Sequence, residues 1–228
     1  MSIAENLARI QERMAAAARR AGRDPAAVRL VAVSKKVPVE RIAEAAAAGQ
    51  KLFGENYLQE AREKIVLLPS ELSWHFIGHL QSNKAGEAAG LFAMLETVDS
   101  LKLAGILNRQ AEAIGKKLPV LVQVNVGREA RKSGVLPEAA EELLRGIAAF
   151  PHLDLRGLMT MPPFFDQPEA SRPFFRELRR LGEAMCARGI LGVNGPVELS
   201  MGMSGDFEAA IEEGATLVRV GTALFGER

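Results

Sequence analysis

Arg29-Leu30-Val31-Ala32-Val33-Ser34 is a short apolar run rich in β-branched residues, and Val39-Glu40-Arg41-Ile42-Ala43-Glu44-Ala45-Ala46-Ala47-Ala48, closed by Gly49, follows it after a polar break. The first reads as a strand and the second as a helix. The same pair then recurs. Lys51-Leu52-Phe53 precedes Gly54-Glu55-Asn56 and a helix over 58–67, and Ser73-Trp74-His75-Phe76-Ile77 precedes Gly78 and a short helix over 84–89. Strands over 94–98, 120–124, 153–158, 197–199 and 216–220 each lead to a helical pattern, over 101–117, 137–149, 169–188, 207–213 and 222–225. Ahead of the first strand, Ile3, Leu7, Ile10 and Met14 recur at helical spacing behind a possible Ser2 cap. Regular strand-then-helix order means parallel strands with helical crossovers, and eight such units favour a closed (β/α)8 TIM barrel with an extra N-terminal helix over an open doubly wound sheet. No linker or low-complexity run interrupts the series, so residues 1–228 read as a single domain.

Composition narrows the function classes. Lys and Arg number 29 against 28 Asp and Glu, a balance without the electrostatic footprint of a nucleic-acid or anionic-membrane partner. A hydrophobic fraction of 48% in 228 residues supports a substantial core rather than disorder. The single Cys186 cannot form an internal disulfide, and neither a signal sequence nor a spanning apolar run is evident, so the expected address is the cytoplasm.

Residues that follow the strands of an α/β barrel build its active face. Here they are Ser34 and Lys35, Glu55 and Asn56, Gly78 and His79, Asn125, Thr160, Ser200 to Ser204, and Gly221 with Thr222. A lysine desolvated at a barrel mouth can condense with an aldehyde, yet Lys35 and Lys36 both qualify by position, and spacing does not choose between them. Ser200, Gly202 and Ser204 precede one helix, and Gly221 and Thr222 another; small residues there let backbone N–H groups approach a phosphate, or simply form turns and caps. Arg219 interrupts the apolar strand Leu217-Val218-Arg219-Val220 and needs a partner, either a structural carboxylate such as Glu198 or a ligand atom. His75 and His79 sit on a strand and turn rather than a helix, which argues against a metal pair. Cys186 reads as packing, and Phe174, Phe175, Leu178, Leu181 and Met185 as a core stripe.

Five ordered motifs then carry a resemblance. Val31-Ala32-Val33-Ser34-Lys35, Phe53-Gly54-Glu55-Asn56-Tyr57, Trp74-His75-Phe76-Ile77-Gly78-His79-Leu80-Gln81, Ser200-Met201-Gly202-Met203-Ser204 and Leu217 through Gly226 resemble the pyridoxal phosphate homeostasis protein family, the YggS/PROSC group. The resemblance implies a barrel similar to the alanine racemase N-terminal domain, with pyridoxal 5′-phosphate held as an internal aldimine on Lys35. It implies Asn56 near the cofactor ring, Ser200, Gly202, Gly221 and Thr222 around the phosphate, and Arg219 facing the pyridine nitrogen. Family members often carry threonine directly after the aldimine lysine; here Lys36 stands there. An arginine at the pyridine nitrogen weakens the electron sink, and the racemases resembled supply a second proton carrier from a further domain that this chain, ending at Arg228, is expected to lack. The expectation is a monomeric carrier that buffers the cofactor for apo-enzymes, with a low-activity amino-acid racemase as the alternative.

Overall fold

A computed structural model of the chain describes residues 2–226. Its elements run α1 (Ile3–Arg20), β1 (Arg29–Val33), α2 (Val39–Ala47), β2 (Leu52–Glu55), α3 (Leu58–Ile65), β3 (Ser73–Phe76), α4 (Ala85–Leu91), β4 (Met94–Val98) and α5 (Leu101–Ala113). They continue with β5 (Leu118–Gln123), α6 (Ala140–Ala148), β6 (Leu153–Met159), α7 (Arg172–Ala187), β7 (Glu198–Ser200), α8 (Phe207–Glu212), β8 (Leu217–Val220) and α9 (Thr222–Phe225). The strands form a closed barrel in chain order, every neighbouring pair parallel. Closure is made by β1 against β8, where Val31 faces Arg219 and Ala32 faces Val220.

Two apolar layers follow from the two faces of each strand. Outward residues such as Ala32, Phe53, Trp74, Leu95 and Val218 pack under the helices. Inward residues Val31, Met94, Leu121, Met159 and Leu217 form a separate cluster contributed by five strands, which plugs the barrel interior. Two positions further along their strands, Glu96 and Arg219 take the next inward places.

The helix after β8, α9, is a single turn and too short to cover the seam between β8 and β1. Helix α1 takes that place, packing against α8, α9 and α2. Its start is fixed by a capping box: Glu5 N–H donates to Ser2 Oγ at 3.2 Å and Ser2 N–H to Glu5 Oε2 at 2.8 Å. It buries Ile3, Leu7, Ile10 and Met14, each large side chain contributing about 1.5–3 kcal/mol by area. Arg13 and Arg20 pair with Glu208 and Glu212 of α8 along its edge.

Several boundaries depart from the sequence reading. Strand β2 extends through Gly54 and Glu55, because these pair with His75 and Phe76 of β3. The stretch before α7 is a 3-10 turn, Pro168–Ser171, and α5 ends at Ala113, ahead of Gly115 at φ +63°. Phe175, Leu178 and Met185 of α7 are buried, with Phe174 and Leu181 packed against the core. Cys186 is exposed, not packed as expected, since it lies one residue round the helix from buried Met185.

Candidate functional site

At the carboxyl ends of the strands Lys35, Asn56, Arg219, Gly221 and Thr222 meet on the wall of one cavity of about 380 Å3. Lys35 reaches it because it follows Val31 and Val33 at a period of two: Val31 sits in the interior cluster and Val33 lines the cavity. Lys36 is exposed at φ +57°, a conformation that costs a non-glycine residue about 1 kcal/mol, and its N–H donates to Glu60 Oε1 at 2.5 Å. Adjacent lysines thus face different surroundings.

Asn56 follows β2 directly. Its backbone is approached so closely by Gly78 that a Cβ there would lie 2.1 Å from the Asn56 carbonyl oxygen. The Gly78 carbonyl in turn accepts from Thr97 Oγ1 at 2.6 Å. With the Asn56 backbone pinned, its side chain lines the cavity, and its Oδ1 is buried without a hydrogen-bond partner. A buried carbonyl oxygen left unpaired is costly and calls for a donor.

Arg219 is 3% exposed. Its Nη1 donates to Ser200 Oγ at 2.5 Å and its Nη2 to the Thr160 carbonyl at 2.7 Å. Ser200 Oγ donates onward to Glu96 Oε2 at 2.5 Å, and His75 Nδ1 lies 2.6 Å from Glu96 Oε1. Four strands therefore contribute to one polar chain through the barrel. Burial alone would push the Glu96 carboxyl up, but the His75 bond and charge, then Arg219 and Ser200, hold it below its ordinary value. Burial pulls the Arg219 guanidinium down, against the opposing charges of Glu96 and Asp206.

Of the partners the sequence left open for Arg219, Glu198 is excluded as the structural carboxylate. Glu198 opens β7 at the other end of the barrel, where it binds Arg29 at 2.5 Å and accepts from Thr216 Oγ1 at 2.6 Å. Glu96 is the carboxylate that serves Arg219. The signal for it was present: a lone carboxylate inside Met94–Val98, a strand buried at every position, has to be paired.

Ser200 and Gly202 are not on the cavity wall. Ser200 lies behind it, holding Arg219. Gly202, at φ +92°, lets its loop close on α8, since a Cβ there would sit 2.5 Å from the Ala210 Cβ. The wall on this side is Met203, Ser204, Gly205 and Asp206, with Gly221 and Thr222 beside them. Ser204 Oγ joins the two turns by accepting from the Gly221 and Ala223 N–H groups at 3.3 and 3.4 Å. Asp206 Oδ1 is occupied by the Met203 N–H at 2.7 Å. The outer rim is Met161, Pro163, Phe164 and Phe165, with Phe164 85% exposed. The sequence reading did not single out this apolar rim.

Glu55 is absent from the mouth because, as the last residue of β2, it faces outward and is buried against α3. His75 and His79 part company: the first is bonded to Glu96, and the second has its Nδ1 3.2 Å from Ser133 Oγ. No cluster of metal-ligating side chains occurs among the described residues. Nor is any described helix long and apolar enough to cross a membrane.

The family model for the alanine racemase N-terminal domain matches residues 6–228. The pyridoxal phosphate homeostasis protein of Pseudomonas aeruginosa is 48% identical over 229 aligned positions, covering 100% of this chain and 96% of that protein. The chain belongs to the pyridoxal phosphate homeostasis protein family. PipY of Synechococcus elongatus, solved with PLP bound, is 37% identical to this homeostasis-family chain, with a TM-score of 0.84 over 99% of this chain and 100% of that one. Alanine racemase of Clostridium difficile shares the fold at 18% identity and a TM-score of 0.73, over 88% of this chain but 53% of the racemase.

Proposed function

We propose that this chain binds pyridoxal 5′-phosphate in the cavity at the barrel mouth, attached through Lys35, and that it buffers and releases the cofactor within vitamin B6 homeostasis. The observation that carries this reading is the convergence on one wall of Lys35, the unpaired Asn56 Oδ1 and the bonded Arg219 guanidinium. A volume of about 380 Å3 lies within the usual range for small-molecule sites, roughly 300–1,000 Å3. Bound there, the cofactor supplies an aldehyde to which a primary amine adds with reversible loss of one water.

The chain's own groups divide the remaining work. Lys35 presents the amine from the end of β1. Arg219, aimed by Ser200 and Thr160, donates to an acceptor on the ring and retains its proton, which limits the ring as an electron sink. The turns at Ser204-Gly205 and Gly221-Thr222 offer the Ser204, Gly205 and Thr222 N–H groups and the Thr222 hydroxyl to a phosphate, while the Gly221 N–H ties the turns together through Ser204 Oγ. Asn56 Oδ1 accepts from a polar group of the ligand.

Two-base racemisation needs a second proton carrier, and the titratable groups on this wall are Lys35, Asp206 and Arg219. The chain's one tyrosine, Tyr57, stands at the N-cap position of α3 without a side-chain capping bond and lines a different cavity. These features support handling of the cofactor rather than turnover. The same reading takes the chain as a single-domain cytoplasmic monomer, with apo-enzymes as recipients.

Titration with pyridoxal phosphate should develop a visible absorption band, and borohydride reduction with peptide mapping should place the label on Lys35. Lys35→Ala should abolish the fixed label. Incubation with L-amino acids should yield no D-isomer at an enzymatic rate. A label on Lys36 with Lys35 unmodified would overturn the assignment, and Lys35-dependent racemisation would overturn the carrier role.

A further inference from the structure

Between α3 and the ends of β1 and β2 lies a second set of buried charges that the cavity does not include. Lys64 is 6% exposed and uses its ammonium group fully: it donates to the Ser34 carbonyl at 2.7 Å, to Glu55 Oε1 at 2.8 Å and to Glu60 Oε1 at 2.6 Å. Each acceptor belongs to the turn around Lys35 or to a carboxylate that grips it. Glu55 Oε1 accepts from Ser34 Oγ at 2.7 Å, and Glu60 Oε1 from the Lys36 N–H. The turn closes with the Val37 N–H donating to the Ser34 carbonyl at 2.9 Å. Lys35 is its second residue, and Lys36, its third, is the one forced to positive φ.

An ion pair serving only to tie α3 to the barrel would need Glu55 and Lys64. The additional bonds to the Ser34 carbonyl and the Lys36 N–H hold main-chain groups on either side of Lys35. Were Lys36 to relax to negative φ, the peptide plane between the two lysines would turn, and the side chain directed into the barrel mouth would change with it.

We propose that Lys64 and Glu60 are positioning residues for Lys35. They lock the Ser34–Val37 turn so that Lys35, and not Lys36, delivers its amine to the cavity. The proposal rests on the reading that Lys35 is the attachment amine.

The test compares wild type with Lys64→Met, Glu60→Ala, Lys36→Gly and the Glu60→Ala/Lys36→Gly double variant. Attachment of pyridoxal phosphate is followed by absorbance and mapped after borohydride reduction. Pyridoxine 5′-phosphate, which lacks the aldehyde, reports the intact cavity. Lys64→Met and Glu60→Ala should slow attachment on the order of tenfold or more and move part of the label to Lys36, while pyridoxine phosphate affinity changes less than about twofold. Lys36→Gly should rescue Glu60→Ala to within about threefold of wild type, because glycine takes positive φ without help from the carboxylate. Should Lys64→Met fail to fold, Glu60→Ala and its rescue decide alone, as Glu60 is only half-buried. Unchanged attachment in a folded Glu60→Ala, parallel loss of pyridoxine phosphate binding, or absence of rescue each overturns the positioning role while leaving Lys35 labelling in wild type intact. Wild type that takes no label at Lys35 overturns both.

Discussion

Inside the barrel, Glu96 is fully buried with both carboxylate oxygens bonded; outside it, Glu55 is equally buried with one oxygen bonded twice and the other without a partner. The consequences are opposite. Burial raises the Glu55 pKa more than Lys64 and Ser34 lower it, whereas His75, Arg219 and Ser200 together overcome the burial of Glu96 and lower its pKa. Burial therefore does not decide the charge of a carboxyl group; the number and charge of donors around both oxygens does. The interior cluster aims a side chain, Arg219, at the cavity. The exterior cluster shapes a backbone turn.

The largest expected effect tests the interior cluster. Glu96→Ala leaves Arg219 and His75 without their shared carboxylate and should cost about 3–5 kcal/mol in urea unfolding. If the loss is under about 1 kcal/mol, the chain through Ser200 contributes little to the fold. Ser200→Ala removes only the link between Glu96 and Arg219, and should cost about 1–3 kcal/mol while weakening pyridoxal phosphate binding.

Acid sharpens the contrast further. The lowered Glu96 pKa gives stability that is present above the unfolded carboxylate value and lost as pH falls through the folded value. For Glu55 the sign reverses: the folded state binds the proton more tightly, so relative stability rises as pH falls through its raised pKa towards the unfolded value. The difference in unfolding free energy between wild type and Glu96→Gln should shrink on acidification, and that between wild type and Glu55→Gln should grow in favour of wild type. Parallel slopes would remove the distinction between the clusters. The smallest effect is expected from Lys36→Gly, where relief at φ +57° is offset by glycine's chain entropy, for a net change within about 1 kcal/mol.

Much of this is legible in the sequence. The β-branched run at Arg29–Val33 and the Gly- or Pro-punctuated helices after it specify strand and helix locally, and their eightfold recurrence specifies a parallel closed sheet. Lys35, Asn56, Gly221 and Thr222 stand among the polar residues after barrel strands and Arg219 just inside one, and the motif resemblance is what picks them from that longer list. Ser200 and Gly202 fit the same pattern, yet one holds Arg219 from behind and the other admits α8. Their identity shows only that they are small, not which side of the loop meets the cavity.

What the sequence by itself determined is the order and type of the elements, the barrel, and the short list from which the site is drawn, since all of these follow from local periodicity and turn chemistry. Only the tertiary structure decided that Ser200 stands behind the cavity wall, that Glu96 rather than Glu198 serves Arg219, and that Lys64 grips the Ser34–Val37 turn. Those outcomes depend on which side chains meet when the sheet closes and α3 folds back on it. Glu96 and Ser200 are 104 positions apart, and no local pattern carries a contact of that range.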